Sequence, residues 1–342
     1  MIKCLVWDLD ETLWEGVLSE GDPARPRAQA EAALRVLDER GILHSIASKN
    51  DNALVLSHLR SHGLDDYFVY PQIGWSAKSV AIARIAEQLQ LAPGNIAFVD
   101  DCPVERAEVA SVHPQVLCLD VTQLGEVASM EAFSPRSRSP EAGRRRELVQ
   151  LEIRRQQAEQ EHQRPSLEFL AELELELDIF EAGPEHLSRA EELTARTTQL
   201  NSTGLVYRGE DLQQLMEAGV RCWLMRACDR FGDYGTVALA LVDERPPQHR
   251  CRLLLTSCRV LNRGVGIGLL TYLMRRAQGA GLSLQVDYQA NTRNRMMDIS
   301  LRLAGFSRNQ GGFGWSGLEA PSYPEYFKAI NAPRADDEPA RD

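Results

Sequence analysis

Two apolar runs in the N-terminal third, Ile2 to Trp7 and Ile96 to Val99, each stop at acids: Asp8-Leu9-Asp10 after the first, Asp100-Asp101 after the second. Around them strand-like and helix-like runs take turns, at Ala28 to Glu39, Ile42 to Ala47, Ala53 to His62, Tyr67 to Tyr70, Lys78 to Leu89 and Val116 to Leu119. That rhythm predicts βαβ units, hence an α/β fold with a parallel sheet and helices on both faces. In such a sheet the carboxyl ends of the strands line the ligand crevice, so both acidic pairs are expected to border it.

Residues 134–165 break the pattern. They hold no aromatic side chain, many charges and few apolar positions, and read as a polar linker ending in a solvated helix. This separates a domain at 1–133 from a second at 166–330, in keeping with a length of 342 residues when one domain typically takes roughly 100 to 200. From Leu173 the second domain changes to the alternation LELELDIFEAG, continues through helical patterns at Leu187 to Thr197 and Gly209 to Ala218, and reaches strands at Arg221 to Arg226, Thr236 to Val242 and Arg252 to Thr256. Consecutive strands predict an antiparallel meander in an α+β domain. A glycine-rich turn from Asn262 to Gly268, a helix, a strand at Leu282 to Val286, another helix and a last strand near Gly312 to Trp315 complete it, and residues 331–342 read as a disordered tail.

A net charge of -11 gives no electrostatic footprint for nucleic acid or anionic lipid, so neither is an expected partner. The N-terminal apolar run is cut by acids after Trp7 and no small-residue cleavage site follows, and no stretch approaches a membrane span; a cytoplasmic protein is expected. Seven cysteines without a CxxC pair fit reduced thiols better than a disulfide framework or a zinc site. Trp14 and Trp75 read as packing residues rather than substrate platforms.

Two further polar groups fall where the crevice needs them: Ser48, closing the run Ile42 to Ala47, and Lys78, opening the helical pattern after Trp75. Together with Asp8-Leu9-Asp10-Glu11-Thr12 and Asp100-Asp101, this set resembles the haloacid dehalogenase (HAD) superfamily of phosphohydrolases and phosphotransferases. A carboxylate attacking a dianionic phosphoryl group needs its repulsion cancelled by a divalent cation and an ammonium. The resemblance implies Asp8 as nucleophile and Asp10 as general acid and base. It places Mg²⁺ among Asp8, the backbone carbonyl of Asp10, Asp100 and Asp101, with Ser48, Lys49, Asn50 and Lys78 around the phosphoryl oxygens. The lengths from Thr12 to Ser48 and from Asn50 to Lys78 leave no room for an inserted cap domain, so an open crevice is expected.

In the second half, Cys258-Arg259-Val260-Leu261-Asn262-Arg263-Gly264-Val265-Gly266-Ile267-Gly268 follows a strand and opens a helix. Free backbone N–H groups at a helix start can cradle a pyrophosphate or a phosphopantetheine phosphate. The setting resembles the GNAT acetyltransferase fold, except that Leu301 stands where that fold's usual N…YxxxGF ending has its tyrosine.

The runs KCLVWDLDETLWEGVL, GILHSIASKND, YFVYPQIGWSAKS, NIAFVDDCPVERAEV, TTQLNSTGLVY, DRFGDYG, LLTSCRVLNRG and NRMMDISLRLAGF together are similar to the FkbH-like family. That resemblance implies loading of a glyceryl unit from D-1,3-bisphosphoglycerate onto an acyl carrier protein with loss of phosphate, for polyketide extender or tetronate biosynthesis. The carrier's phosphopantetheine arm would meet Arg259, Arg263, Gly264, Gly266 and Gly268, and Cys258 would carry the acyl group, its thiolate favoured by Arg259 and the following helix start. Cys102, beside the second acidic pair, is the rival thiol, although the family more often has an amide residue there. For Asn201, Asp229, Arg230, Arg293 and Arg295 the match implies substrate or pantetheine contacts, and surface solvation explains them as well. The alternative is a HAD phosphatase of a small phosphorylated metabolite with a non-catalytic carrier-binding module.

Overall fold

Four buried residues, Cys4–Trp7 (β1), form the centre of a parallel sheet in a computed structural model that describes residues 1–134, 143–161, 167–316 and 319–333. A small hairpin follows, Trp14–Glu15 (β2) with Arg25–Pro26 (β3), then Ala28–Glu39 (α1), Leu43–Ser48 (β4), Asn52–Ser61 (α2), Gln72–Ile73 (β5), Lys78–Gln88 (α3), Ile96–Asp100 (β6), Pro103–Val112 (α4) and Leu117–Asp120 (β7). The sheet order is β5-β4-β1-β6-β7, all parallel. The chain runs outward from β1 to one edge, then crosses back to the other. With right-handed crossovers this places α1 and α2 on one face and α3 and α4 on the opposite one. No domain is inserted between these elements among the described residues, so the α/β HAD-like, capless architecture expected from the lengths holds.

The run Tyr67 to Tyr70 does not form the edge strand. Asp65–Tyr67 is a 3-10 turn, Phe68 only bridges His44, and the strand proper is β5. The residues 134–165 also need correction. Arg145–Glu161 (α5) is not a solvated helix: Leu148 is buried, and Arg146 is bonded to Asp38 at 3.0 Å. Two compact units divide at Gln150 and Leu151, inside that helix; residues 135–142 and 162–166 lie outside the described residues.

The second unit continues with Leu167–Glu172 (α6), Leu175–Glu181 (β8), Leu187–Arg196 (α7), Gly209–Glu217 (α8), Arg221–Asp229 (β9), Gly232–Asp243 (β10), His249–Thr256 (β11), Val265–Gly279 (α9), Leu284–Asp287 (β12), Arg295–Leu303 (α10), Ser307–Asn309 (β13), Gly312–Trp315 (β14) and Phe327–Asn331 (β15). The antiparallel run β8-β9-β10-β11 is the expected meander, and β12 joins β11 in parallel after α9, which gives the α+β GNAT-like arrangement. Strand β15 departs from the expected tail: it pairs in parallel with β8, so Asn331 belongs to the sheet, and residues 334–342 lie outside the described residues. Within this unit Arg155, 1% exposed, makes a two-pronged bond to Asp229 at 2.8 and 2.9 Å and stacks on Tyr234. Asp229 is therefore a buried anchor and not a substrate contact.

One core pair of the first unit has a solution consequence. Trp7 Nε1 donates to His44 Nδ1 at 2.9 Å, which leaves His44 Nε2–H to donate to the Leu34 carbonyl at 3.0 Å. Complete burial pushes this imidazole down to about 3, against the opposing effect of the Leu34 carbonyl. Unfolded, it titrates near its ordinary value of about 6.5, so its contribution to stability is complete above that pH and is lost as pH falls toward the folded value. Urea unfolding followed by tryptophan fluorescence should show about 1.4 kcal/mol lost per pH unit in this window from His44 alone. A His44→Gln protein should show a slope shallower by about one proton; an unchanged slope would contradict the buried neutral imidazole.

Candidate active site

The registers that align Trp7 with Val99 and with Ile46 bring Asp8, Ala47 and Asp100 to one polar edge. This is the point where the strand order reverses, between β1 and β6. Lys78, the first residue of α3 and 2% exposed, fills the space among them. Its Nζ donates to Asp8 Oδ1 and, at 2.8 Å, to the Ala47 carbonyl, and it lies 3.2 Å from both Asp100 Oδ2 and Glu105 Oε2. Glu105, in the first turn of α4, also accepts from Lys49 at 2.6 Å.

Charge within this cluster is unbalanced, and the ionisation equilibria reflect it. Burial raises Asp8 despite the adjoining ammonium. Burial and the charge of Asp8 push Asp100 up to about 7. Burial opposes the ionised Lys78, yet the charges of Asp8 and Asp100 outweigh it and hold the ammonium above its ordinary range. Glu105 is held below the carboxylate range, because the Lys49 bond and the Lys78 charge overcome its burial.

One ligand atom each from Asp8, Asp100 and Glu105 lie within 4.8 Å of one another. Asp100 Oδ1 accepts from the Cys102 amide at 2.8 Å, but its buried Oδ2, though near Lys78, has no hydrogen bond. An orphaned carboxylate oxygen in a hard, all-oxygen set fits a divalent cation such as Mg²⁺. The structure thus adds Glu105 to the acids expected from sequence. Asp101 turns elsewhere: its Oδ1 is 3.3 Å from the Thr12 hydroxyl, its amide donates to that hydroxyl at 3.0 Å, and its carboxylate is outside the cluster.

Asp10 is held apart from the cluster by three donors. Trp14 Nε1 at 2.8 Å and the Leu18 amide at 3.0 Å occupy Oδ1, and Asn50 Nδ2 at 2.9 Å takes one side of Oδ2. One lone pair of Oδ2 remains for a proton. Ser48, at the end of β4, and Asn50 are both buried at this edge. Trp14 is buried, as expected of a packing residue, but Trp75 is 77% exposed on the loop leading to Lys78 and packs against little.

In the second unit, β11 ends at Thr256 and a 3-10 turn, Cys258–Arg263, leads to Gly264 and α9. Cys258 is half-buried at the start of that turn, and Arg259 Nε lies 3.4 Å from Ser257 Oγ. Arg263 departs from its expected role: 2% exposed, it bonds Glu159 at 2.7 Å and lies against Phe169, so its guanidinium is committed inside the unit. Two glycines have packing reasons of their own. Gly264 has φ +66° and a Cβ there would meet Tyr326 Oη at 1.9 Å; a Cβ on Gly268 would lie 2.5 Å from Leu177. Gly266 faces Thr256 with more room. Leu301, in the place of the GNAT tyrosine, is buried in the core. No disulfide joins any of the seven cysteines, and no helix among the described residues is long and apolar enough to cross a membrane.

No protein-family model matches the chain, and no curated protein matches it. Among solved structures, the N-terminal part of a Bacteroides fragilis protein, containing a phosphatase domain complexed with Mg, aligns at 25% identity with a TM-score of 0.32, over 34% of this chain and 35% of that one. The match thus spans about a third of the length of that solved N-terminal part. The deoxy-D-mannose-octulosonate 8-phosphate phosphatase of Haemophilus influenzae, in a cobalt-bound form, aligns at 18% identity and TM-score 0.27, over 32% of this chain and 64% of that one. The ribosomal-protein-S18-alanine N-acetyltransferase of Escherichia coli aligns at 11% identity and TM-score 0.32, over 40% of this chain and 88% of that one.

Proposed function

We propose that the chain is an enzyme that loads a glyceryl unit from D-1,3-bisphosphoglycerate onto the phosphopantetheine thiol of an acyl carrier protein, with loss of phosphate, for a polyketide extender or tetronate. The observation that carries the phosphoryl half of this reading is the set of buried Asp8, Lys78 and Asp100 with the partly exposed Glu105 at the switch point of the parallel sheet. Asp8 attacks the phosphorus of the phosphomonoester; the bond to the leaving oxygen breaks, and Asp10 gives that oxygen its proton. Water, deprotonated by Asp10, then releases inorganic phosphate and regenerates Asp8. Lys78 favours the ionised nucleophile against the burial that opposes it and offsets the charge of the incoming phosphoryl group, and Ser48 and Asn50 line the same edge. Asp8, Asp100 and Glu105 would hold Mg²⁺, which supplies electrostatic stabilisation of the phosphoryl oxygens.

For the acyl half, the thiolate of Cys258 attacks the carbonyl of the mixed anhydride, the acyl phosphate C–O bond breaks with loss of phosphate, and the carrier's thiol takes the glyceryl group from the resulting thioester. A second reading has a specific observation in its favour. Arg263, Gly264 and Gly268 are explained by internal packing, as a non-catalytic carrier-binding module beside a phosphatase of a small phosphorylated metabolite would have them.

Intact-mass spectrometry of the protein and a holo-carrier, incubated with D-1,3-bisphosphoglycerate and Mg²⁺, separates the two. A glyceryl adduct on the carrier is expected, lost in Cys258→Ser because a hydroxyl is a far weaker nucleophile near neutral pH, and kept in Cys102→Ser. Loading lost only in Cys102→Ser would reassign the thiol. Loading kept in both would remove the relay, and phosphate release with no acyl adduct anywhere would favour the simple phosphatase.

A further inference from the structure

Asn201 and Asn294 are both buried, and each is spent on holding backbone. Asn201 Oδ1 accepts from the amides of Thr203 and Gly204 at 3.1 and 2.7 Å, closing the turn that presents Leu205 and Val206. Asn294 Nδ2 donates to the carbonyls of Asn201 and Gln289 at 3.1 and 2.9 Å, while Gly204 packs on Asn291 so closely that a Cβ would come within 2.9 Å of Nδ2. Two loops distant in sequence are therefore locked side by side at the start of α10. Neither asparagine offers a substrate contact, so their work is to fix what those loops display.

What is displayed is apolar and basic. Leu205 and Val206 are 48% and 62% exposed. Helix α10 buries Met297 and Leu301 on one side and leaves Met296, Ile299 and Leu303 on the other, 38%, 38% and 82% exposed, at the spacing of one helix face. From Arg293 to Arg308 the only charged residues are four arginines and Asp298. Asp298 is taken by Arg302 and Arg308, whereas Arg293 and Arg295 are exposed and their guanidinium groups have no partner among the described residues. A locally positive apolar face on a chain of net charge -11 is selective for an acidic partner. A second copy of the chain, related by a two-fold axis, would set these arginines against themselves.

We propose that the exposed face of α10, with the 201–206 loop beside it, docks an acidic amphipathic helix of the acyl carrier protein. The identity of the partner rests on the carrier reading above; the face and its chemistry do not. Leu303 and Ile299 receive the apolar stripe of the partner helix, and Arg293 and Arg295 receive the carboxylates along its rim.

The test uses the full chain and two probes: a labelled holo-acyl carrier domain of a polyketide synthase, and a labelled amphipathic peptide with a leucine stripe flanked by glutamates, with a lysine-flanked peptide as control. Fluorescence anisotropy should show both acidic probes binding, the lysine peptide not binding, and affinity falling as salt is raised from about 0.05 to about 0.5 M. Leu303→Asp and the Arg293→Glu/Arg295→Glu double substitution should each weaken binding about tenfold or more, and Leu303→Asp should leave carrier-independent phosphate release and melting temperature unchanged. Equal affinity in these variants, equal binding of the lysine peptide, or no binding of either acidic probe would overturn the proposal. The carrier reading fails separately: a carrier that is loaded equally well by these variants keeps that reading and discards this face, whereas variant-sensitive binding without any loading keeps the face and discards the reading.

Discussion

An Asp8→Asn protein is expected to lose enzyme-dependent phosphate release by at least about a thousandfold while melting close to the parent. The amide cannot form an acyl phosphate, so the two-step route through the protein closes. The fold is spared for a geometric reason. Lys78 keeps the Ala47 carbonyl at 2.8 Å and the carboxylates of Asp100 and Glu105 at 3.2 Å each, so its charge stays compensated when Asp8 becomes neutral. The asparagine carbonyl can still accept from Nζ, and the cluster loses one of its crowded negative charges, which burial had already made costly. Phosphate release and thermal melting should be measured on the same preparation. Turnover at the parental rate in a folded variant would sink the assignment of Asp8 as nucleophile. Loss of turnover with a collapsed melting temperature would mean that Asp8 is structural first.

How much of this site could be read from the chain depends on which residues had to be where they are. Asp8, Ser48 and Asp100 end strands of a parallel sheet, and strand ends are legible from apolar runs, so their convergence follows from the fold class alone. Lys78 was legible from its place at the start of a helix after a strand-like run. Glu105 was not, because an acid in the first turn of a helix is ordinary dipole complementation, and only the register of β6 against β1 aims it at Lys78. Asp101 misled for the converse reason: next to Asp100 in sequence, its side chain leaves on the opposite side and meets Thr12. Helix α5 looked solvated because its composition is polar, yet Arg155 is among the most deeply buried large side chains, its charge answered by Asp229. A sequence shows the charge but not its partner, which is 74 positions away. The glycines of the second unit have the sequence pattern of a phosphate cradle, and that pattern cannot distinguish a ligand's approach from that of Tyr326 or Leu177.

Replacing Lys78 by Met is expected to be the most damaging single change in the first unit, in stability as well as activity. Met keeps most of the buried stem, which passes near the Phe98 ring with Nζ 5.7 Å from its centre, and removes only the charge. Three carboxylates then remain within 4.8 Å of one another, with Lys49 answering Glu105 alone. Breaking a buried ion pair from one side typically costs about 3–5 kcal/mol, which for a unit of this size lowers the melting temperature by about 10 °C. The penalty should grow as pH rises, since protons can stand in for the ammonium at low pH and Asp100 already titrates near 7. In the parent, Lys78 competes with a cation for the same oxygens; in the variant it does not. Melting scans in EDTA and in excess Mg²⁺ should therefore show a larger rise with Mg²⁺ in Lys78→Met than in the parent, with activity still absent because the ammonium beside the phosphoryl group is gone. A variant that melts like the parent in EDTA would refute the charge argument, and one that Mg²⁺ fails to restore at all would refute Asp8, Asp100 and Glu105 as its ligands.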